Sequence, residues 1–137
     1  MGSMTPSLQL AVLAYSQNNR SLTLNAQMAA IDAAWTEFTS NTLTGDYSVP
    51  QTKITENFLL EFAGSPASGP TVNLSDSTLP GVPIGPRFIA VKNSLTSSPA
   101  VSITFKGGTQ TATASVSSDG FVHLLWYDGV GKVYLVI

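Results

Sequence analysis

The last third of the chain decides the fold. It reads RFIAVKNS (87–94), AVSITFKGG (100–108), TATASVSS (111–118), FVHLLWYDG (121–129) and KVYLVI (132–137). These are short runs rich in Val, Ile, Phe and Tyr, separated by Gly, Asn, Asp and Ser. Phe88, Ala90 and Lys92 fall on one side, and Ile89, Val91 and Asn93 on the other. Val101, Ile103 and Phe105 alternate in the same way with Ser102, Thr104 and Lys106. A period of two belongs to half-buried strands. Asp128-Gly129 between two such runs signals a hairpin. The expectation is an antiparallel sheet folded on itself, a sandwich or barrel, with a core of Phe58, Leu60, Phe62, Ile89, Val91, Val101, Ile103, Phe105, Val122, Leu124, Val133 and Leu135.

Upstream, residues 54–63 (ITENFLLEFA) read as a strand and residues 71–74 as a short one. Between residues 75 and 86 stand Pro80, Pro83 and Pro86 with Gly81 and Gly85, a run no regular element tolerates. Residues 43–52 read as a loop. Before it, Leu24, Met28, Ile31, Trp35 and Phe38 are spaced four, three, four and three, the repeat of a coiled-coil seam. Alanines fill the intervening positions, so an N-terminal helix is expected, capped by Thr23 or Asn25. A helix of about 15 residues is unstable alone in water. Its seam must be covered, either by its own sheet or by the same seam in two further copies. The expected organisation is a leading remnant at 1–3, an arm and helix at 4–48, and a β-domain at 49–137. The segment 5–15 reads as an extended arm, and the chain's start shows no basic signal-peptide region.

Composition narrows the function. Of 137 residues 43% are hydrophobic and only 10% charged, while Ser and Thr number 32. A mean hydropathy of +0.19 with so few charges predicts apolar surface lying against another chain. A net charge of −2 with six Lys and Arg gives no cationic footprint for nucleic acid. No apolar run reaches the length of a membrane span. With no cysteine and a single histidine, His123, thiolate and multi-histidine metal sites are ruled out.

Catalytic patterns are weak. Any Ser-His-Asp set would need His123, and no G-x-S-x-G elbow is present. Asp46, Asp76, Asp119 and Asp128 stand in turn contexts. Glu56 and Glu61 would face opposite sides of one strand, which disfavours a paired-carboxylate site. Lys106-Gly107-Gly108-Thr109 lacks phosphate-loop spacing and reads as a hairpin turn. Asn19-Arg20-Ser21 and Asn73-Leu74-Ser75 match the glycosylation triplet. Trp126 and Tyr127 are adjacent, so one faces outward, where it would stack on a sugar or pack on a neighbour. No cofactor and no catalytic residue is expected.

Two stretches carry a resemblance. SLQLAVLAYSQNNRSLTLNAQMAAIDAAW (7–35) resembles the opening of the DUF2793 family of phage and prophage virion proteins. The pattern falls on Leu8, Leu10, Gln17, Thr23, Asn25, Ala26, Ile31, Asp32 and Ala33. The second stretch, from Asn57 to Val133, is similar to a β-domain of tail-fibre and other virion appendage proteins. It matches at Phe62-Ala63-Gly64, Thr71-Val72-Asn73-Leu74, Pro80, Phe88 to Asn93, Val101 to Phe105 and Tyr127-Asp128-Gly129. The resemblance implies a non-enzymatic component on the exterior of a phage particle: a fibre, spike or head-decoration subunit. It implies a homotrimer docked on other virion proteins through its N-terminal part. A host-surface glycan, met by outward aromatics, is the second class of partner.

Overall fold

In the computed structural model, residues 26–29, 31, 37–108 and 112–137 are described. The chain is mainly β, in two mixed sheets that do not close into a barrel. Its strands are β1 (Phe38–Leu43), β2 (Tyr47–Ser48), β3 (Leu59–Gly64), β4 (Thr71–Asn73), β5 (Arg87–Leu95), β6 (Ile103–Lys106), β7 (Ala114–Val116), β8 (Val122–Tyr127) and β9 (Val133–Leu135). One short helix, α1 (Gln51–Thr55), lies between β2 and β3. The five-stranded sheet has the order β1-β3-β5-β8-β9 and the four-stranded sheet β2-β4-β6-β7.

The first six strands alternate between the sheets. Each return to a sheet therefore runs in the same direction as the strand already there. Consequently β1, β3 and β5 pair in parallel, as do β2, β4 and β6. The pattern is that of three solenoid coils, each with one strand per sheet. Only β7, β8 and β9 pair antiparallel. The expected all-antiparallel sheet is thus corrected to a mixed one. Alternation of side chains is common to both pairings; direction is set by the connections, which send the chain through the opposite sheet first.

One core lies between the sheets. Leu60, Phe62, Ile89, Val91, Leu125 and Tyr127 enter it from the five-stranded sheet, and Val72, Ile103, Phe105, Ala114 and Val116 from the other. Phe62 and Phe105 meet edge-on across the gap, with centroids 5.5 Å apart. Val49, Ile54, Leu74 and Ile84 close its margin. The buried Asn93 reaches across it: its Nδ2 donates to the Val101 and Val116 carbonyls at 3.1 and 2.9 Å, and its Oδ1 accepts the Leu95 amide. Buried Gln51 on α1 donates to the Leu74 carbonyl and accepts the Ile84 amide, both at 3.0 Å. That pair of bonds pins the proline-rich loop to the body.

Several expectations change. The start of the expected strand at 54–63 is instead the end of α1 and a bend, and β3 begins at Leu59. Residues 43–52, expected as a loop, contain β2 and the start of α1. Among the expected core residues, Phe58, Val122 and Leu135 are exposed. Leu124 and Val101 are half-buried. On β8 the core side is the other one: Leu125 stands opposite Ile89, so the odd-numbered side chains turn inward. Residues 26–29 and 31 are helical; most of the expected N-terminal helix lies outside the described residues. Phe38 is not part of that helix: it begins β1, where it pairs with Leu59. The strands at 38–48 put part of the expected N-terminal segment inside the two sheets. Leu24 and Trp35 lie outside the described residues.

Candidate functional site

One candidate surface is the outer face of the five-stranded sheet. Strand register places Phe38, Leu59, Ala90 and Leu124 in one row across β1, β3, β5 and β8. Val136, whose amide donates to the Leu124 carbonyl at 2.8 Å, extends the row past β9. The next row over is aromatic: Phe88, Trp126 and Tyr134. Phe88 and Trp126 pack tilted with centroids 4.9 Å apart. Phe38 is 61% exposed and Phe88 56%; Tyr134 and Val136 are also open to solvent. A row on the opposite flank carries Ser40, Glu61, Lys92 and Val122, where Glu61 and Lys92 are register partners of opposite charge. Parallel strands usually belong to sheets covered on both faces. Here three adjacent strands are parallel, and two adjacent rows on the face away from the core are apolar or aromatic.

The expected contacts separate on this geometry. Trp126 stands on the outer face, half-buried. Tyr127 does not face a ligand: it is 3% exposed and belongs to the core, with its ring against Gly107. Met28, 67% exposed, and Ile31 present apolar side chains to solvent. Phe38 joins the apolar row on the sheet.

A second surface is a polar groove of about 300 Å³ on the four-stranded sheet, lined by Asp46, Tyr47, Ser48, Thr71, Asn73, Asp76 and Lys106. Ser48, Asn73 and Lys106 form one register row across β2, β4 and β6. Asp46 Oδ1 accepts the Thr71 amide at 2.8 Å. Asn73 Oδ1 accepts the amides of Ser75 at 3.0 Å and Gly108 at 2.8 Å. Asp76 Oδ1 accepts the Thr78 hydroxyl at 2.6 Å and its amide at 2.9 Å. Hydroxyl bonds from Thr78 and Ser48, then the Thr78 amide, hold the Asp76 carboxyl below its ordinary range, against a small opposing effect of burial and with help from the Lys106 charge. Asn73, read from sequence as part of a glycosylation triplet and of a short strand, ends β4 and holds the adjoining turns with its Oδ1; Asn19 lies outside the described residues. This groove was not legible beforehand, because its residues come from three strands and the turns beside them.

Comparison with protein-family models, curated proteins and solved structures gives no match.

His123 is half-buried on β8, with Nε2 at 2.9 and 3.1 Å from the two Asp119 carboxylate oxygens. Its Nδ1 has no hydrogen-bond partner among the described residues. The Ser117 hydroxyl bonds Asp119 rather than His123. The Phe121 amide, more than His123, keeps the Asp119 carboxyl below its usual range, with burial acting the other way. Among the described residues no group of three or more His, Cys, Asp or Glu is placed to hold a metal ion. Nor is any helix among them long and apolar enough to cross a membrane.

Proposed function

We propose that this protein is a non-catalytic structural subunit of a phage particle, a fibre, spike or decoration protein on the virion exterior, and that it functions as a homotrimer. The observation that carries the reading is the apolar outer face of the five-stranded sheet, Phe38, Leu59, Leu124 and Val136 beside Phe88, Trp126 and Tyr134. Large contiguous apolar patches on a small soluble chain mark interaction surfaces. Covering this one with identical copies removes it from water and gives the parallel strands their second packed side. The resemblance of residues 7–35 and 57–133 to virion proteins supplies the phage context and the trimer. Exposed Met28 and Ile31 are part of the same assembly surface, and the N-terminal part docks on other virion proteins.

The test is solution mass by light scattering. Three times the 14.4 kDa chain mass is expected, and a stable single-chain mass would sink the reading. Labelled antibody imaged on intact particles then tests the location: signal on the capsid or tail surface supports it, and unlabelled particles oppose it.

A further inference from the structure

We propose that the groove across β2, β4 and β6 is a saccharide-binding site, in which Asp46, Asp76, Asn73 and Lys106 hold the hydroxyls of a neutral sugar. The site is separate from the assembly face and does not depend on the trimer.

The polar side chains of the groove are fixed before any ligand arrives. Asp46, Asp76 and Asn73 each spend one oxygen on a neighbouring turn. Asn73 is oriented by its carbonyl oxygen, so its Nδ2 is presented as a donor; that atom has no hydrogen bond among the described residues. The same holds for the second oxygen of Asp46 and for the Lys106 ammonium. Side chains locked by such supporting bonds lose little freedom when a ligand binds.

The mixture of groups selects the ligand. Carboxylates only accept, while ammonium and amide nitrogen only donate. A sugar hydroxyl does both, and a vicinal pair can donate to Asp46 or Asp76 while accepting from Asn73 or Lys106. Two carboxylates against one ammonium disfavour phosphate and sulfate. Lys106, at the β6 end of the row with its charge acting on Asp76, disfavours a bare metal ion. The Thr71 hydroxyl adds an adaptable partner. A volume of about 300 Å³ lies at the small end of ligand clefts, suited to a single ring.

The experiment follows backbone amide resonances of the full chain during titration with glucose, galactose, mannose and N-acetylglucosamine, with inorganic phosphate and calcium chloride as separate arms. At least one sugar should shift the Thr71, Asn73, Ser75 and Gly108 amides saturably. Lys106→Met should weaken that binding roughly tenfold, the effect of one charged hydrogen bond, while leaving the remaining spectrum in place. Asp46→Asn, which keeps an oxygen for the Thr71 amide, provides a second variant expected to weaken binding in the same way. Trp126→Ala should change nothing. Silence from all four sugars overturns the proposal, as does a response to phosphate or calcium alone. Sugar shifts that cluster at Phe88, Trp126 and Tyr134 and vanish in Trp126→Ala would also overturn it, by moving recognition to the sheet face.

Discussion

Asn93 shows how much a single polar residue does here. It sits on the inward side of β5 among Val91 and Leu95, yet it makes three hydrogen bonds, two of them to the opposite sheet's side of the core. Asn93→Ala removes them and leaves buried carbonyls without donors, at about 1–3 kcal/mol each for those that water cannot reach. A loss of about 3 kcal/mol in unfolding free energy, read as a lowered urea midpoint, is expected, and an unchanged midpoint would refute the clamp. Sequence placed Asn93 on the correct side of its strand but offered no sign of its partners, which lie on distant segments. Gly64 is a second such residue. Its φ is +112°, and an added Cβ would lie 2.4 Å from the Leu43 carbonyl oxygen on β1. Gly64→Ala therefore combines a disfavoured backbone with a clash, at about 2–5 kcal/mol. Gly45 has open space around it, so Gly45→Ala should stay within about 0.5 kcal/mol of the parent. Equal denaturation curves for the two variants would show that the β1–β3 contact at Gly64 is not tight.

At the level of elements, the period of two identified strands where residues alternate cleanly, as in β5 and β6. It could not phase β8. There Val122, Leu124 and Trp126 are as apolar as Leu125 and Tyr127, so a rule that sends apolar residues inward has no preference. That ambiguity is the outer apolar face seen in one dimension. Strand direction was equally out of reach, since nothing local records that β2 and β4 belong to another sheet. Turn chemistry was legible: Asp128-Gly129 does join β8 to β9, with Asp128 Oδ1 accepting the Val130 and Lys132 amides, both at 2.9 Å. Burial raises the Asp128 pKa, but the Lys132 and Val130 amides and the Lys132 charge outweigh it and leave it lowered. Asp76 and Asp119 are lowered as well. A carboxyl whose pKa is depressed by folding stabilises the fold above its unfolded value, and that stability is lost as pH falls through the folded value. Thermal midpoints should therefore hold from neutrality down to about pH 4 and fall below it. Asp128→Asn should flatten part of that fall. A midpoint that rises on acidification would contradict the turn-capping roles of all three.

For the whole molecule, composition foretold apolar surface beyond the needs of one core, but the helical repeat drew attention to the wrong part of Phe38. That residue lies on the outer face of the five-stranded sheet as a strand residue, not on a helix. The two candidate surfaces, the sheet face and the helical Met28 and Ile31, can be separated because the tested positions are exposed in the single chain. Phe88→Glu puts a charge in the middle of the aromatic row at a site 56% open to water. It should leave the fold intact, because nothing there is newly buried until chains associate. In an assembly built on that face the charge would be buried without a partner, which is strongly unfavourable. Its light-scattering mass is expected to drop to one chain while its thermal transition remains cooperative. Ile31→Asp makes the same test at the helix and is expected to weaken association too, since the proposed assembly uses both surfaces. If Ile31→Asp alone separates the chains and Phe88→Glu stays fully assembled, the sheet face is not the interface. The apolar rows would then need a different partner, one absent from a solution of the pure protein.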